Sequence, residues 1–320
     1  MAAVQAGVQA GFQADITLPH REVWELYHNS FSLCSKKLRV CMAELELPYR
    51  SHHINLIETG SYENVGRDYL AINPAGLLPV LLHNGHPIYE SHEEIAYAAA
   101  HAGALGAELM PEDSSKRALV DHWIDCASLV GKDPTKGTDQ RAGHCVPGLT
   151  LPIFATMVEH IPTLEILKGL LSHPNKERPL IFLALKWKGI AGLPSLKPAL
   201  GLLRKSLHHM GQHLDRLGEQ LGKHGGPWIT GETFTLADVS WMVILDRLVE
   251  ADWDAALWGD ELGAGTPRPA VAAYWERLEA RDSYRSQILE TRCPITLEGM
   301  AAVKRAKASN PALLKAFGGE

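Results

Sequence analysis

A serine and a cysteine stand two positions apart in Tyr27-His28-Asn29-Ser30-Phe31-Ser32-Leu33-Cys34-Ser35-Lys36-Lys37-Leu38-Arg39, where both could serve thiol chemistry. Upstream, Val23-Trp24-Glu25-Leu26-Tyr27 has strand composition. Downstream, Leu38, Cys41, Met42 and Leu45 recur at helical spacing. Ser32 and Cys34 therefore fall where a strand passes into the first turn of a helix. Unpaired amides and the positive end of the helix dipole favour an anion there, so either side chain could hold a thiolate, and Cys34 could become one. The plainer use of the same residues is a helix cap from Ser32 or Ser35, with Cys34 as a small filler.

Two further stretches carry recognition chemistry. In Asn73-Pro74-Ala75-Gly76-Leu77-Leu78-Pro79-Val80 a proline precedes a strand. A cis bond there would aim the N–H and C=O of Leu78 into a cleft, where a peptide could add strand-like hydrogen bonds. An ordinary trans turn is the alternative. In Glu90-Ser91, the hydroxyl and the free amides of a helix start can bind a carboxylate while Glu90 pairs with an ammonium, which together match an α-amino acid headgroup. Ser91 with Glu94 also reads as a capping box alone.

The elements that must position these residues follow from pattern. Ile54 and Leu56 alternate with polar neighbours on a second short strand, so the first strand, its helix and this one form a βαβ unit. Residues 80–82 are a short apolar run, Asn84-Gly85 is a hairpin turn, and Pro87-Ile88-Tyr89 returns as a neighbouring strand with Pro87 at an edge. An alanine-rich helix runs from Ser91 to about His101. The order β-α-β-α-β-β-α is thioredoxin-like. Beyond a link near residues 103–113, Ala118, Val120, Trp123, Ile124, Ala127 and Val130 begin a helical region. Frequent Gly and Pro, from Pro134 and Pro174 to Pro198, mark 132–200 as an insertion of loops and short helices. A regular helix spans Leu202 to Leu221 and stops at Gly225-Gly226-Pro227. Thr235 with Asp238 then caps the buried-looking run Val239 to Leu248. A helix after Pro267-Arg268-Pro269 and a last amphipathic segment from about Leu297 to Phe317 complete the chain. The expected division is 1–21 as a mobile lead-in, 22–104 as the thioredoxin-like domain, 113–293 as the helical domain and 294–320 as a helical tail.

Composition excludes several classes. With 31 Lys and Arg against 37 Asp and Glu the net charge is −6, contrary to a sequence-independent nucleic-acid binder. Five scattered cysteines with no Cys-x-x-Cys pair suit a reducing cytoplasm, and apart from Cys34 they read as structural. The apolar run Leu180 to Leu185 is far short of the roughly 20 residues that cross a bilayer, and the first residues make a poor signal peptide. His52-His53, His208-His209 and His213 lack metal-ligand spacing and read as solvated faces, as does Lys304-Arg305-Ala306-Lys307. No metal is expected. Trp123, Ile124 and Phe154 could border a small-molecule pocket, though such residues at helical spacing are usually core.

Taken in this order and spacing, the three chemical stretches resemble cytosolic glutathione transferases, and Gly231-Glu232-Thr233-Phe234 with the Thr235-x-x-Asp238 box resembles the one in their helical domain. The resemblance covers roughly 23–132 and 200–290. Ser32-Leu33-Cys34-Ser35 looks most like bacterial tetrachlorohydroquinone reductive dehalogenases and zeta-class maleylacetoacetate isomerases. The insertion and Pro227 to Ser240 also resemble ganglioside-induced differentiation-associated proteins, without their membrane anchor. The resemblance implies a thioredoxin-like domain binding glutathione and a helical domain shaping an apolar acceptor pocket. By it, Ser32 activates the glutathione thiolate, Leu78 and cis-Pro79 hold the cysteinyl backbone, Glu90 and Ser91 hold the γ-glutamyl end, and Lys37 approaches the glycyl carboxylate. It further implies a cytoplasmic homodimer acting on a hydrophobic, electrophilic small molecule, as in xenobiotic or aromatic degradation. Conjugation, ether cleavage, reductive dehalogenation and cis-trans isomerisation all remain open. In the reductive route Cys34 attacks the conjugate's sulfur; in isomerase-like relatives it is a bystander. The alternative class is a non-catalytic glutathione-fold scaffold.

Overall fold

A computed structural model describes residues 8–131, 133, 135–172, 177–259 and 267–318. The first part contains β1 (Gly11–Phe12), β2 (Trp24–His28), α1 (Leu33–Glu44), β3 (Arg50–His53), α2 (Arg67–Leu70), β4 (Val80–His83), β5 (His86–Tyr89) and α3 (Ser91–Ala100). The strands order as β1-β5-β4-β2-β3, with β2 parallel to β3 and the other pairs antiparallel. The period of two along each strand sorts the side chains. Leu26, Leu81 and Ile88 face Leu38, Met42 and Ile95, whereas Val80, Leu82 and Tyr89 join Tyr69 in a second cluster. At the β4–β5 turn both Asn84 (φ 51°) and Gly85 (φ 80°) take the left-handed conformation that a two-residue hairpin needs. The fold is the thioredoxin-like arrangement that the element order implied, with one strand added.

That added strand lies in the segment expected to be a loose lead-in. Gly11 and Phe12 pair with Tyr89 and Ile88, and the Gln13 N–H donates to the carbonyl of Pro87 (3.0 Å). Pro87 is thus not on an edge strand; it accepts a hydrogen bond there without needing to donate one. Residues 1–7 of the lead-in lie outside the described residues. The second parallel strand is also earlier than its apolar residues suggested. Ile54 donates to the His28 carbonyl (2.8 Å) just past β3, and Leu56 leads into a 3₁₀ turn whose Thr59 hydroxyl takes the Leu56 N–H (3.1 Å).

The supposed link at 103–113 contains a helix, α4 (Gly103–Leu109). It crosses α3 so closely that a Cβ on Gly106 would stand 1.8 Å from the Ala99 carbonyl oxygen, so glycine is required. The remainder is helical: α5 (Ser114–Cys126), α6 (Val146–Leu149), α7 (Leu151–Met157), α8 (Thr163–Ser172), α9 (Glu177–Gly192), α10 (Lys197–His224), α11 (Leu236–Glu250), α12 (Asp254–Leu257), α13 (Pro269–Glu279), α14 (Asp282–Tyr284), α15 (Pro294–Ser309) and α16 (Pro311–Gly318). The stretch read as loops and short helices holds the ten-residue α8 and the sixteen-residue α9, the latter interrupted by the left-handed Gly189 (φ 60°). Pro134 and Pro174 fall outside the described residues. α10 ends on left-handed Gly225, as its glycines suggested. Among the described residues no helix is long and apolar enough to cross a membrane.

α11 is the central helix, buried along nearly its whole length. Its capping box forms: the Asp238 carboxylate accepts from the Thr235 N–H (2.8 Å) and also from the Ile229 N–H and the Tyr274 hydroxyl (3.0 and 2.9 Å). One flank of α11 meets α1. Lys36 Nζ lies 2.7 Å from Asp246 and 2.6 Å from Glu250; Arg247 and Arg292 reach Glu250 at 3.0 and 3.3 Å, and Arg292 also pairs with Asp246. Burial raises the Asp246 carboxyl, but Lys36 and Arg292 outweigh it and hold the group below the usual carboxylate range.

Of the two groups expected on solvated faces, His53, His208, Lys304 and Arg305 are exposed, but other members have structural partners. His52 pairs with the buried Glu25 (2.6 Å), the His53 ring takes the Ser30 N–H (3.3 Å), and buried His213 bonds the Thr138 carbonyl (2.8 Å). Lys307 is buried over the Trp253 ring and donates to the Ala251 carbonyl (3.1 Å). Such partners are remote in sequence, so local pattern does not betray them.

Candidate functional site

Asn29 organises the turn between β2 and α1. Its side-chain oxygen accepts from the Phe31 and Ser32 N–H groups (2.9 and 3.2 Å), and its amide donates to the Ile54 carbonyl and Thr59 hydroxyl (2.9 and 2.8 Å). Ser32 is the N-cap, its Oγ accepting from the Ser35 N–H at 3.3 Å, while the Ser35 hydroxyl turns inward to the Asn29 N–H (3.2 Å). That resolves which serine caps. Cys34 sits on the second residue of the helix, half-buried.

The loop from Asn73 to Pro79 is fixed just as tightly. The Asn73 side chain accepts from the Ala75 N–H (3.0 Å) and donates to the Leu77 carbonyl (2.9 Å), which also takes the Tyr69 hydroxyl (2.6 Å). Asn64 donates to the carbonyl of left-handed Gly76 (2.7 Å). The Leu78–Pro79 peptide bond is cis, as the resemblance implied. Glu90 is the N-cap of α3 at φ 75°, a left-handed conformation uncommon for a residue with a side chain. Ser91 is therefore the first residue of that helix, and its side chain makes no cap; the expected Ser91–Glu94 box does not form. Glu94 is instead fully buried, and burial raises its carboxyl well above the ordinary range.

A cavity of about 230 Å³ brings Cys34, Leu78, Pro79, Glu90 and Ser91 together. Ser32 and Lys37 do not line it. Lys37 lies behind the wall, 2 % exposed, with its Nζ 3.3 Å from Nε2 of His92. His92, which the sequence reading passed over, does line the cavity, beside Val8 of the lead-in and Leu129–Gly131 of the helical region. Its position directly after Glu90-Ser91 was the available signal. Burial, then the charges of Lys37 and Arg141, hold its imidazole neutral down to about pH 2. Trp123 and Ile124, offered as pocket residues, are core: Trp123 packs on Trp241 with ring centres 5.5 Å apart. Phe154 packs between Phe31 and Phe182.

A larger, shallower cleft of about 660 Å³ lies at the opposite end of α1, but its Glu44 and Arg281 are already tied to one another at 2.6 Å. Of the remaining free thiols, Cys41 and Cys145 are buried, and burial raises Cys41 above the ordinary range and Cys145 to about 12, whereas Cys126 and Cys293 are partly exposed. Chemically, the 230 Å³ site offers a thiol at a helix start, a cis-proline loop, and a carboxylate beside a second helix start. That set fits a peptide bearing an α-amino acid end and a sulfur.

Residues 31–101 match the glutathione S-transferase N-terminal domain family and residues 205–284 the C-terminal domain family. A 2,5-dichlorohydroquinone reductive dechlorinase of Sphingobium indicum is 25% identical over 300 residues, covering 83% of this chain and 82% of that protein. Human ganglioside-induced differentiation-associated protein 1-like 1 is 26% identical over 284 residues, covering 83% and 73%. Among solved structures, a β-etherase of Sphingobium sp. strain SYK-6 superposes with a TM-score of 0.62 at 20% identity, covering 84% of this chain and 100% of the other.

Proposed function

The chain belongs to the glutathione transferase superfamily, and we propose that it binds glutathione in the 230 Å³ cavity and directs the thiolate onto an electrophilic aromatic carbon, with Cys34 completing a reductive dehalogenation. The observation that carries this reading is that Cys34, rather than Ser32, shares the cavity wall with Leu78, cis-Pro79, Glu90 and Ser91. In this scheme the Leu78 backbone holds the cysteinyl part, Glu90 pairs with the γ-glutamyl ammonium, and Ser91 with the α3 amides takes the carboxylate. Residues 22–104 act as the glutathione-binding unit and 113–293 as the acceptor unit.

The chemistry runs in two steps. Glutathione thiolate displaces halide from the ring, forming a carbon–sulfur bond. The Cys34 thiolate then attacks that sulfur, the electron pair of the carbon–sulfur bond returns to the ring carbon, which takes a proton, and a Cys34–glutathione disulfide remains. A second glutathione reduces it. The dechlorinase relative favours this route over simple conjugation, ether cleavage or isomerisation.

The test is a halogenated hydroquinone with glutathione, applied to the parent, Ser32→Ala and Cys34→Ser. Reduced product and a glutathione adduct on Cys34 by mass spectrometry are expected from the parent; Cys34→Ser should stall at the aryl conjugate. Equal yields of reduced product from parent and Cys34→Ser would remove the thiol from the mechanism. A scaffold role has one observation in its favour, the exposed Leu171, Leu180, Ile181 and Trp187 on α8 and α9. Glutathione binding without turnover of aryl halides, aryl ethers or maleyl acids would favour that reading.

A further inference from the structure

Behind the cavity wall lies a lysine without a counter-ion. Lys37 Nζ is buried, its one polar contact among the described residues is Nε2 of His92 at 3.3 Å, and among those residues no carboxylate comes within ion-pair distance of it. The next residue along, Lys36, has two carboxylates within 2.7 Å. Groups around Lys37 arrive from both packed elements: Cys34 and Cys41 on its own helix, Glu90, His92 and Glu94 at the start of α3. Burial pushes its ammonium form down, and the charges of Cys34, Glu94, Glu90 and Cys41 pull only partly against that.

His92 joins this lysine to the cavity. A parallel arrangement elsewhere on α1 shows what is unusual. Arg39 Nη1 lies 3.3 Å from Nδ1 of His28, whose other nitrogen is tied to the Ser51 hydroxyl at 2.7 Å. The second ring nitrogen of His92, by contrast, has no hydrogen bond among the described residues, and its ring borders the site where a sulfur would ionise. A neutral imidazole can accept a proton on one nitrogen while giving up the proton on the other.

We infer that Lys37, acting through His92, takes up the proton that a bound glutathione thiol loses when it ionises in the cavity. This rests on the glutathione reading above. The S–H bond breaks, its proton passes to the free nitrogen of His92, and the proton already on Nε2 passes to the neutral amine of Lys37. The products are a thiolate and an ammonium, with no change in total charge and no electron transferred. The site thereby gains the counter-ion for its anion at the moment the anion forms, and no resident charge is left unpaired before glutathione arrives.

The distinguishing measurement counts protons. Glutathione binding to the full chain is followed by calorimetry near neutral pH in two buffers of different ionisation enthalpy, with ultraviolet thiolate absorbance recorded in parallel. The parent is expected to release about 0 protons per thiolate formed, because the proton stays in the complex. Lys37→Arg, whose guanidinium is already charged and cannot accept a proton, should release about 1. Lys37→Met should shift thiolate formation to higher pH. One proton released per thiolate by the parent, or an unchanged thiolate midpoint in Lys37→Met, would overturn the inference while leaving glutathione binding intact. Absence of any glutathione binding by the parent would overturn the functional reading, and this inference with it. Should Lys37→Met fail to fold, the parent and Lys37→Arg counts still decide.

Discussion

Lys36 and Lys37 are neighbours on one helix and both are buried, yet their surroundings differ in kind. Lys36 faces α11 and enters a closed set of charges with Asp246, Glu250, Arg247 and Arg292. Lys37 faces α3 and meets an imidazole on a cavity wall. In the first arrangement Lys36 joins the sheet domain to α11 through two carboxylates that also hold Arg247 and Arg292. The second leaves proton-binding capacity unspent next to a thiol. Burial alone therefore does not distinguish a structural ion from a working one; the completeness of its partners does.

This contrast can be broken most severely at Asp246. The network holds three cations and two anions, so Asp246→Asn leaves three cations facing one carboxylate and is expected to lose about 3–5 kcal/mol in urea unfolding. Lys36→Met, which equalises the charges at two and two, should lose clearly less. Equal losses would mean that the charges act singly rather than as a set.

The two imidazole pairs give the next test. Burial first, then Arg39, His53 and His52, lower His28 to about 3. Below about pH 6.5 the unfolded chain binds a proton that the folded chain refuses, so stability falls with falling pH by about 1.4 kcal/mol per unit for this group. Replacing it in His28→Asn should flatten the slope of unfolding free energy between roughly pH 6 and 4. The same slope in parent and variant would show that His28 is not held neutral.

The last test concerns Lys37 itself. With a depressed ammonium and no carboxylate partner, Lys37→Met should stabilise the fold at neutral pH. A lysine held below its unfolded value binds fewer protons when folded, so its penalty is full at low pH and disappears as pH rises toward about 10.4. The gain in urea midpoint should shrink along that range; a loss of stability at neutral pH would show that Lys37 has a partner after all.

Much of this was legible in the sequence wherever local chemistry decides the outcome. The helix start between Ser32 and Ser35, the Asn84-Gly85 hairpin, the Thr235–Asp238 box and the glycine stop at Gly225 depend on residues within a few positions of one another. The Leu78–Pro79 cis bond was legible through family pattern and not through spacing. The failures share a different cause. Ser91 lost its cap role because Glu90 takes a left-handed conformation that composition does not announce. His52, His213 and Lys307 found partners far along the chain, and so did the lead-in strand. His92 was overlooked because its importance arises only when α1 brings Lys37 against it.

β1 is two residues long, and it covers the side of β5 that would otherwise be the rim of the sheet. The opposite rim, β3, is the four-residue Arg50–His53, a polar run with one arginine and two histidines. Neither offers a long, apolar ladder of unpaired amides, the template on which sheets of separate molecules fuse into aggregates. Self-association of this protein, whatever its stoichiometry, must accordingly be built from side chains on helix and loop surfaces and should leave the sheet at five strands per subunit.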